Sequence, residues 1–323
     1  MTNKFSSLFS NRRFSLWLGV FCAVSVVFSF WLLMFRIPAI RREAQQSFYH
    51  QYPLLDPARN FVAQDDFIVN LQPLREELRD LVKWEYPRSV SLYFEFLNTG
   101  ANIAINQDLN VWPASLPKVP MAMAVLKKVE QGVWSMGQKF ELLESDKDAN
   151  YGSLFNVPSG TILSLERLLS EMLSRSDNTA YKVFLRNVST RELDDVILEL
   201  GLEDLFTEDG LVSSKEYSRL FRSIYTSSFL KREYSTRILE LLAKSDFKDF
   251  LASGLPSEII FPHKFGIDRT RDAYLDAGIV YVPDRPYLIT VAVQGEGGPG
   301  EEEKVREFMK EVSRKAYEYI SAQ

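Results

Sequence analysis

The chain has 323 residues, 46% of them hydrophobic and 13% aromatic, enough to bury the core of one large domain or two small ones. Its 38 lysines and arginines against 43 acids leave a net charge of -5, and no basic run is interleaved with aromatics, so no nucleic-acid partner is expected. Two histidines, His50 and His263, and the single Cys22 fall short of a usual zinc ligand set, so no metal and no cofactor is expected, and a Ser-His-Asp triad is a poor prospect.

The first element is the stretch 14–35, uncharged and free of proline, long enough as a helix to cross roughly 30 Å of hydrocarbon. No small-x-small site follows it, which makes it an uncleaved signal anchor rather than a removable leader. Residues 1–13 then form a cytoplasmic tail, 36–66 a stalk carrying Pro38, Pro53 and Pro57, and 67–323 the main domain. Lys4, Arg12 and Arg13 before the span balance Arg36, Arg41 and Arg42 after it, so basic residues do not set its orientation. Because Cys22 lies inside the span, the main domain cannot form a disulfide.

In the main domain, Leu74, Leu78 and Leu81 recur at helical spacing up to Pro87. Val90, Leu92, Phe94 and Phe96 alternate with Ser91, Tyr93 and Glu95, and Asn98-Thr99-Gly100 turns the chain into Ile103 and Ile105, a β-hairpin. From Ser115 to about Gln131, Ala, Leu, Met and Lys dominate up to Gly132, predicting a buried helix. Further helices are expected between about Leu163 and Leu251, one of them opened by a capping box from Ser213 to Glu216. Gly278 to Val282 and Tyr287 to Val293 read as strands around a turn, and Val305, Phe308, Met309, Val312 and Ala316 mark a last amphipathic helix. Strands at both ends with helices between predict an α+β fold: one antiparallel sheet built from both chain ends, flanked by helices, with a helical subdomain.

Three short patterns carry chemistry. In Ser115-Leu116-Pro117-Lys118 a hydroxyl and an amine share one helical face at a helix start, where the dipole helps the amine lose its proton, giving a serine nucleophile with a lysine base. Ser176-Asp177-Asn178 follows a helical run, and Lys264-Phe265-Gly266 opens the C-terminal strand region. Ser-x-x-Lys, Ser-Asp-Asn and Lys-Thr-Gly elements in this order are the signature of class A β-lactamases and penicillin-binding proteins. The chain resembles that family from about Val90 to its C-terminus, including Asn98-Thr99-Gly100, Ala114-Ser115, Ser176 to Ala180 and Asp276 to Val280.

The resemblance implies roles for particular residues. Ser115 attacks the carbonyl carbon of a β-lactam or related amide, and Lys118 accepts its proton. Ser176 passes a proton to the leaving nitrogen. Lys264 attracts the substrate carboxylate, and Asn178, Gly266 and Ile267 line the bound substrate. The backbone N–H groups of Ser115 and Ile267 form the oxyanion hole. Asp177 fixes the local backbone, Tyr151 either guards the cleft or packs in its loop, and His263 points away from Lys264 to the other strand face.

Two departures stand out. Phe265 replaces the hydroxyl residue of the third element, removing a hydrogen bond to a substrate carboxylate. Only residues 202–212 separate Gly201 from Ser213, with no glutamate-loop pattern for activating water; Glu203 and Glu208 qualify by proximity alone. Efficient acylation is expected, and the efficiency of deacylation stays open. The leading reading is a β-lactamase-like serine hydrolase, with a D-alanyl-D-alanine peptidase acting on peptidoglycan stem peptides, or a silent cell-wall-binding domain, as alternatives. Those substrates lie outside the cytoplasmic membrane, which places the main domain outside a cell membrane crossed once.

Overall fold

The computed structural model describes residues 12–31, 54, 69–85 and 89–323. It forms two compact units, Met1–Pro53 and Leu54–Gln323. The first holds helix α1, Arg12–Trp31. Among the described residues no helix is long and apolar enough to cross a membrane. Residues 32–35 of the apolar span lie outside the described residues, as does the stalk 36–66 apart from Leu54.

The second unit begins with α2 (Gln72–Glu85), β1 (Val90–Phe96), β2 (Ala101–Ile105), β3 (Asn110–Val111), α3 (Lys118–Glu130), β4 (Lys139–Glu141) and β5 (Ile162–Ser164). It continues through α4 (Leu165–Ser174), α5 (Asn178–Asn187), α6 (Thr190–Glu199), β6 (Val212–Ser213), α7 (Ser214–Tyr225) and α8 (Arg232–Ala243). The last elements are β7 (His263–Asp268), β8 (Ala273–Val280), β9 (Tyr287–Gln294) and α9 (Glu301–Ser321). The main sheet has the order β2-β1-β9-β8-β7 with every pairing antiparallel, so the two ends of the domain meet where β1 pairs with β9. This is the α+β arrangement expected from the sequence.

Alternation in β1 has an unexpected meaning. Val90, Leu92, Phe94 and Phe96 pack with Leu74 and Leu78 of α2 and with Val305, Phe308 and Val312 of α9, each such burial being worth about 1.5–3 kcal/mol. The polar alternates face no solvent, for every residue of β1 is buried. Instead α7 covers them: Ser91 Oγ donates to Ser214 Oγ at 2.6 Å and Arg222 pairs with Glu95, while on the neighbouring β9 Thr290 Oγ1 accepts from Ser218 Oγ at 2.8 Å. Polar side chains tolerate burial only when so satisfied.

Helix α3 is buried nearly all round, at Val119, Met121, Ala122, Met123, Ala124, Val125 and Leu126, and packs on α4, α5, α6 and α8. Its regular turns begin at Lys118, not at Ser115 as expected; residues 114–117 form a tight turn in which Leu116 N–H reaches Pro113 O and Lys118 N–H reaches Ser115 O. Pro117 is the N-cap of the regular helix, and the bias of a residue before proline away from helical backbone disfavours an earlier start through Leu116. At α7 only half of the capping box forms: Ser213 Oγ accepts from Glu216 N–H, while the Glu216 carboxylate pairs with Arg219. The strand expected at 278–282 is the end of the longer β8, which stops at Val280.

Gly278 shows how tightly β8 is covered: a Cβ there would lie 2.5 Å from Pro262 O and 2.6 Å from His263 Cβ. Gly278→Ala is expected to destabilise the domain by about 1–3 kcal/mol, read as a lower denaturation midpoint in urea with an unchanged slope.

Candidate active site

The three sequence elements converge. Lys118 Nζ lies 2.8 Å from Ser115 Oγ, 2.8 Å from the Ser176 carbonyl, 3.2 Å from Ser176 Oγ and 2.7 Å from Asn178 Oδ1. Lys264 Nζ reaches the same Ser176 hydroxyl at 2.8 Å and the Phe265 carbonyl at 3.2 Å. Lys118, Lys264 and Ser176 are buried, whereas Ser115 is half-buried and open to a cleft of about 320 Å³.

Local backbone produces this convergence. Ala114, just before Ser115, and Ser176 both hold positive φ, +47° and +56°, conformations that cost a non-glycine residue energy and persist where surrounding contacts enforce them. Asp177 supplies many of those contacts. Its carboxylate caps α5 by accepting from Ala180 N–H at 2.9 Å and also accepts from the N–H groups of Ser153 at 2.7 Å and Leu154 at 2.9 Å. It fixes backbone, as expected, and so ties the 151–154 loop to the Ser176 turn. The edge strand β7 closes against the Ser115 turn at Gly266, where a Cβ would meet Leu116 Cδ1 at 2.8 Å and Pro113 O at 2.9 Å. Ile267, next along, lines the cleft.

Burial dominates the electrostatics. It pushes the Lys118 amine down to about 7, against the raising pull of Asp177 and Asp148. Burial, and then the neighbouring Lys118, holds Lys264 well below the ordinary lysine range, opposed by Asp276. A lysine near neutrality can accept a proton, and a hydroxyl lying 2.8 Å away can supply one.

A model of the Beta-lactamase enzyme family matches residues 73–320. The chain belongs to that family. Among curated relatives, Beta-lactamase VEB-1 of Pseudomonas aeruginosa is 32% identical over 91 residues, 28% of this chain and 30% of that protein, so the match spans under a third of the relative's length. The solved structure of PBP-A has a TM-score of 0.71 at 22% identity, covering 78% of this chain and 97% of that one. A mutant PBP-A, solved as an acyl-enzyme complex with penicillin G, gives 0.70 at 23% identity, covering 78% and 98%. The beta-lactamase from Sphaerobacter thermophilus gives 0.70 at 19% identity, covering 79% and 99%. At these identities the structures establish a common fold.

Within this beta-lactamase fold the remaining residues of the sequence reading take the following places. Glu203 and Glu208 are exposed, and neither lines the cleft. The carboxylate residues that do line it are Asp148 and Asp268, both of which sequence reasoning passed over. Asp148 accepts from Asn178 Nδ2 at 3.3 Å and pairs with Lys182 at 2.9 Å. Burial raises its carboxyl, but Lys182, the Asn150 N–H and the Asn178 amide together draw it down to about 2. Tyr181, Lys182 and Leu185 also line the cleft, and their i+3, i+4 and i+7 spacing from Asn178 on α5 was the signal that could have found them. Tyr151 lines an adjoining cavity with Phe247 and Phe265 instead of the cleft holding Ser115. His263 turns away from Lys264, its Nδ1 2.7 Å from buried Asp276 and its ring stacked on Phe261.

Asp177→Ala removes one helix cap and two loop anchors while leaving both lysines in place. It is expected to cost about 2–3 kcal/mol, and proteolysis should first open the chain between residues 148 and 154, a pattern that limited digestion with mass mapping will reveal.

Proposed function

We propose that this protein is a membrane-anchored serine acyl-transfer enzyme that forms an acyl-enzyme on Ser115 with β-lactams or related amides. One observation carries the reading: a single buried amine, Lys118, lies within hydrogen-bond reach of the Ser115 and Ser176 hydroxyls. Ser115 Oγ forms a bond to the carbonyl carbon while its proton passes to Lys118. The carbon–nitrogen bond then breaks, the leaving nitrogen takes the Ser176 proton, and Lys118 returns a proton to Ser176. Backbone N–H groups of Ser115 and Ile267 would hold the oxyanion, and Gly266 lets β7 come close enough for that. Lys264 favours negative charge on the substrate, and Asn178 is placed to bond an amide side chain.

The fate of the acyl group separates two versions of this chemistry. Among the described residues the carboxylates that act on Lys118 are Asp177 and Asp148, and Asp268 also lines the cleft; the first is consumed by backbone bonds, the second by Lys182 and the third by Thr270 and Arg271. A base held at about 2 activates water poorly. That favours slow deacylation and a D-alanyl-D-alanine peptidase acting on peptidoglycan stem peptides over a fast β-lactam hydrolase. The mutant PBP-A solved as an acyl-enzyme complex with penicillin G is a precedent for an acyl-enzyme in this fold.

Anchoring is supported by the uncharged run 14–35 and by the exposed apolar side chains of α1, among them Trp17, Phe21, Val24, Val27 and Phe28. The N-terminus then lies inside and the catalytic domain outside the cytoplasmic membrane, where peptidoglycan is made. A reporter fused after Gln323 should be active only outside the cytoplasm; activity confined to the cytoplasm contradicts this topology.

A fluorescent penicillin should label the wild-type protein and persist for minutes or longer, whereas Ser115→Ala should give no label. Rapid turnover would restore the hydrolase version, and no label at all would leave a silent binding domain. The acylation rate should rise with pH through about 7 as Lys118 loses its proton, and Lys118→Arg should lower it by about 10²–10⁴; a pH-independent rate between 5.5 and 8.5, about a unit and a half either side of that value, would remove Lys118 from its role.

A further inference from the structure

The cleft that opens at Ser115 does not end there. It continues from Asn178 along α5 past Tyr181 and Lys182 to Leu185, and Trp112 and Ile267 also line it. At about 1.5 Å per residue, Lys182 stands about 6 Å and Leu185 about 10 Å beyond Asn178 along the helix axis. Ser176 serves the leaving nitrogen and Asn178 the amide of the acyl side, and α5 runs on from Asn178 away from Ser176. The extension therefore lies on the acyl side of the bond that breaks. Nothing in the proposed chemistry uses the residues beyond Asn178.

This wall is part apolar and part charged. Leu185, a large apolar side chain, is 43% exposed, and Trp112 is half-buried with the Arg271 guanidinium 4.2 Å from its ring centroid. Two ion pairs stand here, Lys182 with Asp148 at 2.9 Å and Arg271 with Asp268 at 3.0 Å. In both the cation is the outer partner. The Lys182 side chain is 43% exposed against 13% for Asp148, and that of Arg271 53% against 18% for Asp268. Both acids are also occupied from behind: Asp148 accepts from the Asn150 N–H and the Asn178 amide, and Asp268 from the Thr270 N–H and hydroxyl. The Lys182 ammonium carries three N–H bonds, one of which meets Asp148. An anion reaching this wall meets the ammonium before the carboxylate behind it.

We propose that the extension is a subsite for the acyl half of the substrate, selecting amides whose acyl chain lays its methylenes against Trp112 and Leu185 and places a carboxylate on Lys182. The inference rests on the proposed acylation of Ser115 and names the substrate class of that reaction, amides of acidic acyl chains. A charge-assisted hydrogen bond to a carboxylate is the strongest contact this wall can offer, and the exposed apolar carbons of Leu185 gain from being covered.

Two penicillins that differ only at the end of the acyl chain provide the test: adipoyl-penicillin, which ends in a carboxylate, and hexanoyl-penicillin, which ends in a methyl group. Their acylation rates on the full-length protein in detergent micelles are read by competition with a fluorescent penicillin. At low ionic strength the adipoyl compound should react about tenfold faster, and the preference should shrink as salt is added. Lys182→Gln should abolish the preference. Loss of Lys182 also releases Asp148 and, through it, Asn178, but that slows both compounds alike and leaves their ratio in place. Equal rates in the wild type, or a preference that survives Lys182→Gln, would overturn the proposal. If Lys182→Gln does not fold, the wild-type preference and its salt dependence decide. Should Ser115 prove unreactive, the acyl-transfer reading fails, and ligand-observed NMR with the same two compounds still judges the subsite: tighter binding of the adipoyl compound supports it, while equal binding or none overturns it.

Discussion

The Ser176 hydroxyl sits between two lysine amines, 3.2 Å from one and 2.8 Å from the other, with all three groups shut away from water. Charge in such a place is costly, and a single added or removed proton changes the balance of the whole cluster. The rest of the domain can be understood as the means of holding that cluster together. Helix α3 delivers Lys118, the strained turn at Ser176 delivers the hydroxyl, and the edge strand β7 delivers Lys264 from the other end of the sheet.

Stability and chemistry pull against each other here. Two positive-φ residues without glycine, Ala114 and Ser176, and two desolvated amines all raise the energy of the folded state. The apolar seam of β1, β9, α2 and α9 and the hydrogen-bonded face under α7 offset that cost at a distance from the site. Asp177 forms the bridge, since one carboxylate caps α5, anchors the 151–154 loop and sets the turn from which Ser176 projects.

Much of this was legible in the sequence because it depended on order and period. Alternation gave β1, the closing of the sheet by both chain ends followed from strand patterns at each terminus, and Ser115, Lys118, Ser176, Asn178 and Lys264 stood out as short motifs. What escaped depended on contacts between distant residues. Nothing local marks Asp148 as a wall of the cleft, and nothing local shows what covers the polar alternates of β1, whose partners Ser214 and Arg222 lie over a hundred positions away. The Phe265 substitution was visible as a lost hydroxyl, but its stacking on Phe247 and its place over Lys264 required the fold. The helix start was misplaced by three residues because Pro117 was read as part of the helix rather than as its boundary.

A crystal structure of the protein after exposure to penicillin G tests the central claim most directly. The account predicts continuous density from Ser115 Oγ to the opened acyl group, with its carbonyl oxygen between the N–H groups of Ser115 and Ile267 and with the Ser176 hydroxyl still bridging Lys118 and Lys264. An adduct on any other side chain, or two lysines drawn apart into separate surroundings, would contradict it.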